Sequence, residues 1–178
     1  FLMPNIDNLK KYKNIHMIGI GGVSMSGIAA ILKNWGFHIT GSDSSESENT
    51  EKLIQEDIKV TIGHNLEDVA NSDIIVYSAA IKSDDPEILE AHKLNIPTIE
   101  RADFLGEITK CFNDTICISG THGKTTTTSM VSLCFIEALQ NPSIQVGAYL
   151  KQIDGNYLVG DSEHFIIEAC EYVESFLK

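Results

Sequence analysis

The pattern that most limits the folds open to this chain is a short apolar run that ends in glycines and leads straight into a helical repeat. It occurs twice. The first copy runs Ile15-His16-Met17-Ile18-Gly19-Ile20, turns at Gly19, Gly21 and Gly22, and continues through Val23, Met25, Ile28, Ala29, Ile31 and Leu32 at helical spacing as far as Trp35-Gly36. A central parallel strand has this unbroken apolar character, and Gly36 suits the helix C-cap. The second copy is Thr115–Ser119, followed by Gly120-Thr121-His122-Gly123-Lys124-Thr125-Thr126 and by apolar positions at Met130, Val131, Leu133, Cys134, Ile136 and Leu139. A chain built this way places backbone amides and a helix N-terminus at the carboxyl end of a strand, where an anion is held.

Around the first copy, strands are expected at Phe37–Thr40, closed by Gly41-Ser42-Asp43, then at Ile58–Ile62, Ile74–Tyr77 and Ile96–Ile99. A helix is expected from Pro86 to Leu94. Strands alternating with helices imply a doubly wound, Rossmann-like parallel sheet whose ligands lie at the strands' carboxyl ends. As a dinucleotide fingerprint the turn is imperfect, because Ser24 stands where the third glycine belongs. Asp43, at the end of the second strand, sits where a ribose-binding acid would lie. Glycines at such a turn are as often purely structural as ligand-binding.

The second turn fits a P-loop in its strand–loop–helix context, although Ile118 occupies the first glycine position of the strict pattern. Lys124 is placed to reach the β- and γ-phosphates of ATP, and the Thr125 hydroxyl to coordinate Mg²⁺. Further on, Glu163–Ile167 reads as a strand that delivers Glu168 to its carboxyl end beside the P-loop strand, a second magnesium-ligand position.

Composition limits the partners. Thirteen basic against twenty-five acidic residues give a net charge of −12 over 178 residues, which argues against a nucleic acid or an anionic membrane surface. Lys10, Lys11 and Lys13 before the apolar stretch Ile15–Leu32 imitate a leader or a membrane span. His16, Gly19, Gly21, Gly22, Ser24 and Ser26 interrupt that stretch, so a strand, turn and buried helix are expected. Cys111, Cys117, Cys134 and Cys170 show no metal spacing and read as reduced, mostly buried thiols.

In order along the chain, G-I-G-G-V-S-M-S-G-I-A (Gly19–Ala29), T-G-S-D (Thr40–Asp43), V-Y-S-A-A-I (Val76–Ile81), D-D-P-E (Asp84–Glu87), S-G-T-H-G-K-T-T-T-T (Ser119–Thr128) and E-A-C-E-Y (Glu168–Tyr172) resemble the Mur ligases from Ile15 onward. The shortened phosphate loop is that family's form. The resemblance implies a UDP-sugar-binding Rossmann-like domain over 1–110 and an incomplete central ATP-binding P-loop domain over 112–178. By that precedent Gly19, Gly21, Gly22, Ser24, Met25 and Ser26 would hold the diphosphate of UDP-N-acetylmuramate, with Asp43, Ser78 and Ala79 facing the same crevice. Gly120, Thr121, His122, Gly123, Lys124, Thr125 and Thr126 would hold ATP, Lys124 acting catalytically, with Thr125 and Glu168 as magnesium ligands. Cys170 departs from the acid expected at that place. The implied reaction is a cytoplasmic, ATP- and Mg²⁺-dependent amide ligation of L-alanine through an acyl phosphate.

Three alternatives accompany this reading: a ligase adding a whole peptide to the same sugar nucleotide, an NAD-dependent dehydrogenase suggested by the first turn alone, and a non-catalytic nucleotide-binding module. Ligation is not expected of these 178 residues alone, and the sheet edge beside Glu168 is expected to lack a neighbour.

Overall fold

The computed structural model describes residues 6–169, which divide into two compact units, Asp7–Phe104 and the residues from Leu105 on together with Ile6. Cys170, Glu171 and Tyr172, of the last matching stretch, lie outside the described residues.

In the first unit, β1 (Asn14–Ile18), β2 (His38–Asp43), β3 (Lys59–Ile62), β4 (Ile74–Tyr77) and β5 (Thr98–Glu100) form an all-parallel sheet in the order β3-β2-β1-β4-β5. The order reverses between β1 and β4, so the doubly wound class expected from the alternating pattern is the one observed. β1 is flanked on both sides, and Ile15, Met17 and Ile18 are buried. Helix α1 (Val23–Asn34) packs Met25, Ile28, Ala29, Ile31 and Leu32 into the core. A separate apolar cluster joins Ile18, Val69 and Ile75 to Ile88 and Ala91, linking the sheet with α3 (Leu66–Ala70) and α4 (Pro86–Lys93). Burying a side chain of this size stabilises by roughly 1.5–3 kcal/mol.

Helix α1 ends as its sequence indicates. Gly36 has φ +90, its N–H reaches Lys33 O, and Phe37 N reaches Leu32 O, which is a Schellman closure. Helix α2 (Glu48–Gln55), which the apolar periodicity does not reveal, starts at a capping box between Ser47 and Thr50. Strand β2 runs on through Gly41-Ser42-Asp43 rather than closing there. Gly41 is needed inside the strand, because a Cβ at that position would lie 2.5 Å from Ile20 Cδ1 and 2.8 Å from Met17 O.

The second unit begins within α5 (Arg101–Thr109) and contains β6 (Asp114–Ile118), α6 (Lys124–Glu137), β7 (Ser143–Leu150), β8 (Gly155–Leu158) and β9 (His164–Glu168). Its sheet has the order β6-β9-β7-β8, with β6, β9 and β7 parallel and β8 antiparallel to β7. Phe165, Ile166 and Ile167 of β9 are buried, and the Phe112 ring stacks on Phe165 at 4.8 Å. Strand β9 therefore has a partner on each side, and the expected open edge beside Glu168 is corrected. The chain crosses from β6 to β7 through α6 and returns to fill the place between them.

Two further expectations are corrected. On α6 the buried side chains are Thr128 and Ser132, whereas Met130 is 64% exposed and Leu139, beyond the helix end, is 89% exposed. The face laid on the sheet is the small hydroxyl-bearing one. Of the cysteines, Cys111 is buried, with its thiol pushed up to about 11 by burial and then by Glu107, but Cys117 and Cys134 are exposed. Among the described residues no helix is long and apolar enough to cross a membrane.

Candidate nucleotide-binding sites

The turn after β1 is held by its own backbone. Gly19 N and Ile20 N both donate to Ser42 O, at 2.8 and 3.0 Å, and Gly22 N donates to Gly19 O at 3.2 Å. Gly19 has φ +78, which an L-residue adopts only with strain. Gly21 N donates to Asp43 Oδ2 at 2.9 Å, and a Cβ on Gly21 would stand 2.7 Å from Thr50 Cγ2 and 3.0 Å from that same Asp43 oxygen. Asp43 thus shapes the turn directly.

Helix α1 then starts with Gly22 as N-cap, with no side-chain cap and no acid in its first turn. A helix start of this kind leaves amide donors and a partial positive charge for a ligand. Ser24 is half-buried and accepts a hydrogen bond from Arg101 Nη1 at 3.2 Å. Met25 and Ser26 are buried; Ser26 Oγ donates to Val23 O at 3.1 Å, and the Met25 side chain lies 3.8 Å from where a Gly22 Cβ would be. Across the switch point Ser78 N donates to Ile18 O, and Ser78 Oγ lies 3.1 Å from where a Gly19 Cβ would be. Ala79, next to it, is exposed.

A polar network that the sequence reading missed lies on the same sheet. Glu87, in the first turn of α4 and fully buried, accepts from Asn65 N at 2.8 Å and from Ser42 Oγ at 2.6 Å, and its Oε1 lies 3.2 Å from His16 Nε2. A carboxylate only accepts, so His16 Nε2 carries the proton of that bond. The other ring nitrogen, Nδ1, stands 2.8 Å from Thr40 Oγ1. Burial pushes the Glu87 carboxyl up, but the hydrogen bonds from His16, Ser42 and Asn65 outweigh it and hold the group down to about 2. Ligand atoms of His64, Asp85 and Glu87 also converge within 4.8 Å. The Glu87 oxygens are already engaged by protein donors, which makes this group a structural clamp across β1, β2, the β3–α3 turn and α4. The available signal was His16 itself, a polar residue inside the most apolar strand.

In the second unit Gly120 (φ +149) and Gly123 (φ +78) form the loop, and Gly123 is the N-cap of α6. Lys124 Nζ donates to Gly120 O at 2.7 Å, folding back over the loop. Thr125 Oγ1 donates to Glu168 Oε2 at 3.2 Å, and Gly147 N donates to Glu168 Oε1 at 2.7 Å. The register Ile118↔Glu168 puts that acid beside the end of the loop strand. Thr121, His122 and Thr126 are exposed around the loop. Sequence reasoning found each of these loop residues but not Gly147. A Cβ there would lie 2.7 Å from Glu168 Oε2, a close approach visible only once β7 and β9 are paired.

Together these features define an α/β protein with a doubly wound parallel unit, followed by a second unit with a mixed sheet in which a Gly-Lys-Thr loop faces an acid on the neighbouring parallel strand. The chain belongs to the Mur ligase family: the family model described as "Mur ligase family, catalytic domain" matches residues 14–113. It is 51% identical over 168 residues to a UDP-N-acetylmuramate–L-alanine ligase of Acetivibrio thermocellus, covering 94% of this chain and 36% of that protein. The crystal structure of a UDP-N-acetylmuramate–alanine ligase from Thermotoga maritima superposes with a TM-score of 0.82 at 28% identity, covering 88% of this chain and 36% of the other. A UDP-N-acetylmuramate:L-alanyl-γ-D-glutamyl-meso-diaminopimelate ligase from Neisseria meningitides gives 0.80 at 29% identity, over 90% and 53%. The chain thus spans about a third of the length of the curated relative it matches.

Proposed function

We propose that this chain is the nucleotide-binding part of an ATP-dependent ligase that joins L-alanine to UDP-N-acetylmuramate in the bacterial cytoplasm, for peptidoglycan precursor synthesis. The observation that carries the reading is the convergence of Lys124, Thr125 and Glu168 at one strand–loop–helix junction, in a chain 51% identical to an L-alanine ligase over nearly its whole length. The domain expected over 1–110, which contains the first compact unit, takes the UDP-sugar. Gly19, Gly21, Gly22 and Ser24, with the Met25 and Ser26 backbone, receive the diphosphate, while Asp43, Ser78 and Ala79 border the crevice. The loop Gly120–Thr126, in the domain expected over 112–178, takes ATP.

The Thr125 hydroxyl and the Glu168 carboxylate are hard oxygen donors 3.2 Å apart, a donor set that fits Mg²⁺. When bound, the ion supplies charge neutralisation at the phosphates. In the proposed reaction a muramyl carboxylate oxygen bonds to the γ-phosphorus as the bond to ADP breaks. The alanine amine then adds to the acyl phosphate carbon, phosphate leaves with the electron pair, and the amine loses a proton. Lys124, now folded onto Gly120 O, turns to the β- and γ-phosphates and offsets their developing charge. No side chain needs to act as a nucleophile.

The test is phosphate release from ATP by the full-length polypeptide that carries this sequence. Release is expected to require both UDP-N-acetylmuramate and L-alanine. Release that depends on the alanyl-glutamyl-diaminopimelyl peptide and ignores L-alanine would contradict the assignment in favour of the peptide-adding relative.

A further inference from the structure

Three successive amides of the first glycine turn are taken up by the end of β2. Gly19 N and Ile20 N share Ser42 O, at 2.8 and 3.0 Å, and Gly21 N donates to Asp43 Oδ2 at 2.9 Å. Asn49 Nδ2 holds the Gly21 carbonyl at 2.8 Å. The path of the turn, and with it the direction of the uncapped start of α1, is therefore inherited from where Ser42 and Asp43 stand.

Ser42 is in turn fixed by a buried charge. It is 1% exposed, and its Oγ donates to Glu87 Oε2 at 2.6 Å, the short distance of a bond to an ionised acceptor. Glu87 Oε1 lies 3.2 Å from His16 Nε2, whose Nδ1 stands 2.8 Å from Thr40 Oγ1. Thr40 and Ser42 are two apart on β2 and so share one face of the sheet. One carboxylate thus grips β2 at two alternate residues, directly at Ser42 and through the imidazole at Thr40. Asn65 N, 2.8 Å from Oε1, and the first turn of α4 keep the carboxylate in place. Such an ion is a poor source of stability, because its desolvation offsets much of what its bonds contribute. What a charge-assisted network adds is one defined position for the groups it binds. We propose that Glu87 is a positioning residue for the sugar-nucleotide site, setting where the end of β2 stands and so the shape of the Gly19–Gly22 turn. Fully buried, it acts through Ser42 and not on the ligand. This rests on reading the turn as the UDP-sugar site.

The experiment is a double-mutant cycle on the full-length polypeptide that carries this sequence: wild type, Glu87→Gln, Ser42→Ala and the double variant. Each is titrated calorimetrically with UDP-N-acetylmuramate and with MgATP at one pH, and unfolded in urea. Glu87→Gln keeps the side chain's shape and replaces a charged acceptor by a neutral one, a difference of about fivefold in a binding constant. Each single variant is expected to weaken UDP-N-acetylmuramate by about that factor and to leave MgATP affinity unchanged. The double variant is expected to lose no more than the weaker-binding single one, because both substitutions cut the same link. A drop in stability alone leaves affinity unaltered while the protein stays folded, so the titration separates placement from stability. Wild-type affinity for UDP-N-acetylmuramate in E87Q with a lowered urea midpoint would overturn the proposal and leave Glu87 a purely structural clamp. So would losses that add in the double variant, or an equal loss of MgATP affinity. Absence of UDP-N-acetylmuramate binding by wild type would instead overturn the reading of the turn as a UDP-sugar site.

Discussion

Glu87 is a full negative charge at a position with no solvent exposure, stabilised by neutral donors and an imidazole rather than by a lysine or arginine. Its carboxyl is held down to about 2, below the ordinary glutamate value of 4.5, so the sign of its pH effect is fixed. The group contributes stability above about pH 4.5 and loses that contribution as the pH falls towards 2. A shift of this size corresponds to roughly 3 kcal/mol. Urea unfolding of wild type and Glu87→Gln at several pH values checks it. The mutant is expected to be less stable at pH 7, where one amide oxygen replaces two acceptors, and to have a flatter acid limb; parallel limbs would show that Glu87 is not the titrating group. The sequence marks Glu87 only as an acid after a helix-starting proline. Its importance comes from partners 22, 45 and 71 residues away, which no local pattern displays. The loop residues Gly120–Thr125, by contrast, were legible because their chemistry is contiguous.

At the scale of the element, β1, β4, α1 and α4 could be read because each is apolar at one period and bounded by a glycine, a proline or an acid cap. Helix α2 could not, since it carries Leu53 as its one buried apolar side chain and is fixed by its capping box. Strand β2 was read too short because Gly41 looks like a turn residue until Ile20 is packed against it. The apolar stripe of α6 pointed to the wrong face, since small hydroxyl residues let that helix lie close to β7 and β9. Strand β7 has a role that its sequence conceals. Its Gly147 amide holds one Glu168 oxygen while Thr125 holds the other, and the obstacle to a larger residue is the Glu168 side chain itself. Gly147→Ala is therefore expected to leave the urea midpoint nearly unchanged. It is expected to weaken Mn²⁺ binding in the presence of ATP by about tenfold, the loss of one hydrogen bond to a charged group. Electron paramagnetic resonance titration of Mn²⁺ reads this directly, and an unaltered affinity would remove Gly147 from any role in placing Glu168.

Across the whole molecule, each compact unit carries its own glycine turn at a strand–helix junction, and the two turns differ in kind. The first is closed by Asp43, Ser42 and Asn49 and has Arg101 beside it. The second has Lys124 folded over it and a hydroxyl–carboxylate pair at its end. The fold class of both units was legible because parallel strands buried on both faces leave unbroken apolar runs. Strand β9 beside β6 was legible too, but β7 and β8 were not, because a polar segment such as Gly155–Leu158 joins its sheet only by long-range pairing. The central claim is that the UDP-sugar and ATP occupy different units. Its most direct test is calorimetric titration of this chain with UDP-N-acetylmuramate and, separately, with MgATP, for wild type and Lys124→Ala. The account predicts that the mutation lowers ATP affinity by about 10- to 100-fold, the loss of a charge-assisted contact, and leaves the UDP-sugar affinity as it was. Equal loss of both ligands, or loss of the UDP-sugar alone, would contradict it.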